Sequence, residues 1–171
     1  MGLFGKSKAE LLRWQNVLMQ DSPHRLIMTE QQLKVATFQP AQRNLQAIGD
    51  CKRLVETTTK PDVFFSRLQM LMERSRHLCI LEPYMDFTGV TPTVAYNEAC
   101  RNYQMAIYQF LVRYYIDTLN RARAMKTTRG KLGKFRSFYD SLQVYYPNMN
   151  EMNKRYIEEK FMESLALIDE E

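Results

Sequence analysis

Apolar residues recur along this chain at three- and four-residue intervals, the spacing that gathers them on one face of a helix. Leu11, Trp14 and Leu18 begin the pattern behind Ser7-Lys8-Ala9-Glu10, a capping box that predicts a helix start at Ser7. Asp21-Ser22-Pro23 ends that element. A second capping box, Thr29-Glu30-Gln31-Gln32, predicts a short helix to Phe38, and Gln39-Pro40 marks a boundary or a kink. From Ala41 to Thr58, Leu45, Ile48, Cys51 and Val55 line one face. Pro61 suits a first turn and Asp62 complements the helix dipole, so the chain restarts there. Phe64, Leu68, Leu71, Met72, Ser75 and Cys79 then supply the buried stripe of a helix reaching Leu81.

Glu82 to Thr91, with Pro83 and Gly89, reads as the main loop. Thr91-Pro92 is a strong start signal, Thr91 as cap and Pro92 as first residue, for a long helix ending near Met125. Within it Gln109, Arg113 and Asp117 form one narrow polar strip, where Asp117 can pair with Arg113 and Arg121. The rest of that circumference is apolar or aromatic, which predicts a central helix with neighbours on several sides. A further helix runs from Thr128 to Tyr145 with Leu132, Phe135, Phe138, Tyr139 and Leu142 inside, and Pro147 stops it. Asn150 caps a last helix with Met152, Tyr156, Ile157, Phe161, Leu165 and Ile168 inside. Period-two strand patterns are absent. The expected fold is all-α: a single bundle of five or six helices with one long central helix. In this reading residues 1–171 form one helical domain, with 1–6 a flexible tail, 7–38 an N-terminal helical extension and 41–168 the main bundle.

Composition supports a packed core. The 171 residues are 45% hydrophobic and 25% charged, with eleven Met to fill irregular gaps between helices. The three cysteines, Cys51, Cys79 and Cys100, are odd in number and widely spaced, which fits a reducing compartment rather than a disulfide framework. Only Leu3 and Phe4 precede Lys6 and Lys8, too little for a secretory segment. The most apolar run, Ala106 to Ile116, is broken by Gln109 and Arg113, so no membrane span is expected. The expected location is cytoplasmic.

Charge changes the picture more. Residues 101–136 hold nine cationic and one acidic side chain, whereas 137–171 hold three cationic and eight acidic. The basic excess concentrates in Arg121, Arg123, Lys126, Arg129, Lys131, Lys134 and Arg136. Such a run fits a phosphate-binding surface, with Phe135, Phe138 and Tyr139 close enough to stack on bases. It equally fits a solvated helix end and connector, because cations suit the C-terminal end of the long helix and the aromatics have core spacing. The acidic final helix can also neutralise part of it.

Thr57-Thr58-Thr59-Lys60-Pro61-Asp62-Val63-Phe64-Phe65-Ser66-Arg67, with Tyr114-Tyr115 and the segment from Lys131 to Tyr146, resembles a group of small uncharacterised bacterial helical proteins, some from mobile elements. In that group a polar residue, Pro, Asp and two aromatics open a helix, with Arg just after; Lys60 stands here where Asn is commoner. The resemblance covers residues 41–160 and implies an intracellular helical protein, with no activity, cofactor or site attached. Asp62 and Arg67 become candidates for a partner surface, against a plain helix start with aromatic packing.

Other chemistry is thin. Glu73 and His77 lie one turn apart, but a carboxylate-bridged metal centre needs repeated pairs of this kind. The cysteines fall on apolar stripes, where Cys acts as a small hydrophobe. Gly130-Lys131 lacks the Gly-rich run and Ser/Thr of a phosphate loop. The N-terminal Met-Gly-Leu-Phe-Gly-Lys-Ser-Lys misses the acylation pattern, with Lys6 where Ser or Thr belongs, and allows only weak membrane contact. No catalytic constellation, metal site or cofactor is expected. The sequence therefore points to a non-enzymatic helical module that binds a protein partner or a second copy of itself. The alternative is a nucleic-acid-binding module using the stretch 121–136, with Arg129, Lys131 and Lys134 as its first contacts.

Overall fold

The computed structural model describes residues 30–82 and 91–169. Among them the chain is all-helical, without strands, and forms a bundle of five helices. These are α1 (Glu30–Thr57), α2 (Pro61–Leu81), α3 (Pro92–Arg123), α4 (Thr128–Gln143) and α5 (Glu151–Asp169), with a 3-10 turn, Tyr146–Asn148, between the last two. The helix predicted from Ser7, the tail at 1–6 and most of the Glu82–Thr91 loop lie outside the described residues. The chain divides into two compact units. Of the described residues, one takes 30–52 and those between Gln69 and Cys100; the other takes Arg53–Leu68 and 101–169.

In the first unit, of the boundary or kink expected at Gln39-Pro40 the boundary is absent: α1 runs through, with Pro40 inside it. The proline removes the hydrogen bond that Ala36 would accept, a loss of about 3 kcal/mol in a helix interior. Burial on both sides of it offsets that loss. Ala36, Thr37, Pro40 and Ala41 are all buried, and Ala41 joins Leu78 and Leu81 in a core flanked by Leu45 and Ile48. Arg74 Nη1 donates to Asn44 Oδ1 at 3.1 Å, tying α2 to α1. Helix α3 starts at Pro92 as expected, and the Thr91 carbonyl before it accepts the Ala95 N–H at 3.1 Å. Thr93 donates both its N–H, at 2.9 Å, and its hydroxyl to the Glu82 carboxylate, so Glu82 also meets the helix N-terminus.

The second unit is built on aromatics. Phe64 stacks on Phe110 at 4.1 Å and Phe65 stacks on Tyr145 at 4.1 Å. Within this unit α3 is central, as its apolar arc requires. It reaches the end of α1 through Arg113, α2 through Phe110, α4 through the Tyr114 hydroxyl on Ser141, and α5 through the Tyr115 hydroxyl on Ser164. Arg113 departs from the polar strip assigned to it. It is half-buried and donates from Nη2 to the Val55 carbonyl at 2.7 Å, at the C-terminal end of α1 where a cation is favoured. Among the described residues Asp117 pairs with Arg121, at 2.9 Å, and not with Arg113. Helix α4 stops at Gln143, two residues short of the expected Tyr145, because the chain turns there and sets the Tyr145 ring against Phe65. Pro147 then lies in the 3-10 turn.

The last helix keeps its predicted cap and loses one predicted core residue. Asn150 Oδ1 accepts from the Asn153 N–H at 2.9 Å. Met152 is exposed, and the next position, Asn153, is fully buried instead. Asn153 takes that place because its amide finds acceptors on α3.

Candidate functional site

The basic stretch forms the end of α3, a short turn and the first half of α4. Arg121 and Arg123 occupy the last turn of α3, where they complement its dipole. Thr127 caps α4: its Oγ1 accepts the Gly130 N–H at 3.1 Å. The buried side of α4 holds Phe135, Phe138 and Leu142. One side of the same helix therefore turns Arg129, Gly133 and Arg136 outward, at the i, i+4, i+7 spacing of a single face.

The seven cations divide by environment. Arg121 is committed to Asp117. Lys131 is half-buried and engaged in an interaction of its own. Arg123, Lys126, Arg129 and Arg136 are exposed and Lys134 is half-buried. None of these five makes an ion pair among the described residues. Among the described residues, no carboxylate of the final helix pairs with these five. The basic residues of α5 take its carboxylates locally: Lys154 pairs with Glu151 at 2.7 Å, Arg155 with Glu159 at 3.2 Å and Lys160 with Glu163 at 2.6 Å. Spacing of three and four on one helix makes those pairs the nearest choice.

Base stacking on this stretch is closed off. Phe135 and Phe138 are buried, Phe138 lies against the Tyr114 and Tyr115 rings, and Tyr139 is stacked on Phe161 at 4.6 Å. The surface offers cations without an aromatic platform.

A second outward face lies on α3. Met105 and Ile116 are each 51% exposed, and Gln109 and Val112 fall between them on the same side of the helix. The opposite side carries Ile107, Phe110, Leu111 and Tyr115 into the core.

Two polar clusters escaped the sequence reading. Gln104 joins α3 to the start of α5: its Nε2 donates to the Asn148 carbonyl at 3.0 Å, and its Oε1 accepts from the Asn150 N–H at 3.0 Å and from Asn153 Nδ2 at 2.8 Å. The available signal was Asn153 itself, a polar residue four before Ile157 at core spacing. The other cluster, in the first unit, holds Cys79, Tyr96 and Cys100. Burial pushes the Cys79 thiol up from its ordinary range, and contact with Cys100 one turn on pushes the Tyr96 hydroxyl up. A raised thiol is the opposite of what a nucleophile requires. The three cysteines are free; Cys51 is buried as expected, but Cys79 is only half-buried and Cys100 is exposed, off the apolar stripe assigned to it.

Glu73 and His77 both face outward, with Glu73 accepting from Gln69 Nε2 at 3.0 Å. Among the described residues no group of three or more His, Cys, Asp or Glu side chains could hold a metal ion. No helix among them is long and apolar enough to cross a membrane. Asp62 is exposed and Arg67 is half-buried and engaged, so the Pro61 motif acts chiefly by placing Phe64 and Phe65 in the core. No known protein family, curated protein or solved structure matches the chain.

Proposed function

We propose that this is a non-enzymatic helical interaction module of a reducing intracellular compartment, working by binding a second copy of itself or a protein partner. One observation carries the reading: the outer face of α3, where Met105, Val112 and Ile116 repeat at helical spacing on the helix that otherwise organises the second unit. Scattered surface apolar residues are ordinary, but a repeated row along one helix is the form that helix-to-helix docking takes. Met fits such a role because its flexible thioether adapts to an opposing surface. The three free cysteines suit the same compartment.

Sedimentation velocity across a concentration series tests this. The wild-type chain shifts to a larger species as concentration rises, and the double variant M105E/I116E stays monomeric with unchanged helical circular dichroism. A wild-type chain that remains a monodisperse monomer at high concentration and captures no protein partner overturns the reading.

A further inference from the structure

We propose that the corner between α3 and α4 is a docking surface for the phosphate backbone of double-stranded nucleic acid, independent of the α3 face above. Arg123, Lys126, Arg129, Lys134 and Arg136 lie within fourteen residues and make no ion pair among the described residues. Between Thr118 and Asn150 the chain holds one acidic residue, Asp140. Like charges this dense repel one another, so a polyanion gains both the attraction and the relief of that repulsion.

Three features choose the partner. The aromatics of the segment are buried or stacked on each other, which removes the platform that single strands require. Of the segment's apolar residues, Met125 and Leu132 are only half-buried and none is a large exposed anchor, whereas binding to a lipid surface relies on exposed apolar anchors beside the cations. Arg129 and Arg136, seven residues apart on one face of α4, stand about 10 Å apart along its axis, at a rise of about 1.5 Å per residue. Gly133 lies between them, and a Cβ there would meet nothing within 4 Å among the described residues. A continuous line of phosphates can meet both arginines, with Lys126 in the turn and Arg123 at the end of α3 as further contacts. Such contacts fix position without reading bases, so binding is indifferent to sequence.

Fluorescence anisotropy with a labelled duplex of about 25 base pairs tests the proposal on the full chain. With about four phosphates contacted, raising NaCl from about 50 to about 200 mM lowers the affinity roughly 100-fold. The variant R129E/K134E/R136E loses binding at least tenfold while its melting temperature holds or rises. M105E/I116E leaves binding in place, so this result and the self-association result can fail separately. The proposal is overturned if the duplex fails to bind at low salt, if reversal leaves binding intact, or if affinity ignores salt. It is equally overturned if a single strand of equal charge binds more tightly than the duplex, or if vesicles rich in anionic lipid bind and the duplex does not.

Discussion

Asn153 is fully buried, and its amide nitrogen donates to both the backbone carbonyl and the Oε1 of Gln104, at 3.1 and 2.8 Å. A buried amide without partners is costly, so these bonds decide whether the first turn of α5 can lie against α3. Replacing Asn153 by Ala removes two donors. The Gln104 Oε1 still accepts from the Asn150 N–H, but the Gln104 carbonyl loses this partner. Asn153→Ala therefore costs about 1–3 kcal/mol, read as a lower urea midpoint at unchanged slope. Asn153→Leu fills the volume and costs at least as much, because it faces polar atoms. A Leu variant as stable as wild type would show that shape, not hydrogen bonding, governs this contact. The Arg113 guanidinium belongs to the same kind of feature: a polar group taken inward because a helix end, the Val55 carbonyl, waits for it.

The two glycines of α4 separate the cap from the surface. A Cβ on Gly130 would sit 3.0 Å from Thr127 Oγ1, the atom that accepts the Gly130 N–H, whereas a Cβ on Gly133 meets nothing within 4 Å. Gly133→Ala accordingly stabilises by about 0.5–1 kcal/mol through helix propensity. Gly130→Ala forfeits that gain by displacing the cap, which is itself worth about 1 kcal/mol. Thermal melts of the two single variants decide it: equal shifts would mean that the Thr127 cap adds nothing. The helix starts at Pro61, Pro92 and Asn150 were legible because each is signalled by local chemistry, a fixed φ or a capping side chain. The continuity of α1 through Pro40 was not, since the burial that outweighs a proline is a tertiary effect. The same limit hid Gln104 and Arg113, whose partners lie 44 to 58 residues away in sequence. Of the candidate surface, the cations were legible as a run. Their division into committed Arg121, engaged Lys131 and five without ion pairs was not, because it depends on where Asp117 and the carboxylates of α5 point.

For the whole molecule, a net charge of +5 with its excess at one corner sets a balance between stability and association. The ion pairs of α5 lie on an exposed helix surface at i,i+3 and i,i+4 spacing, so each contributes only a few tenths of a kcal/mol and weakens with salt. The repulsion among Arg123, Lys126, Arg129, Lys134 and Arg136 weakens with salt as well, and none of the five pairs with a carboxylate among the described residues. Five like charges within fourteen residues outweigh three local pairs, so screening favours the folded state. The melting temperature should rise by a few degrees between about 20 and about 300 mM NaCl, as the screening length shortens from more than 20 Å to under 6 Å or so. Chloride is the right anion for this measurement, because sulfate and phosphate also strengthen apolar burial. The double variant R129Q/R136Q should melt higher at low salt and show a flatter profile. A wild-type profile that falls with salt would instead mean that the local pairs of α5 dominate, and that the corner carries no stored repulsion for a polyanion to relieve. Duplex added at low salt should raise the wild-type melting temperature through linkage and leave R129Q/R136Q with a smaller shift.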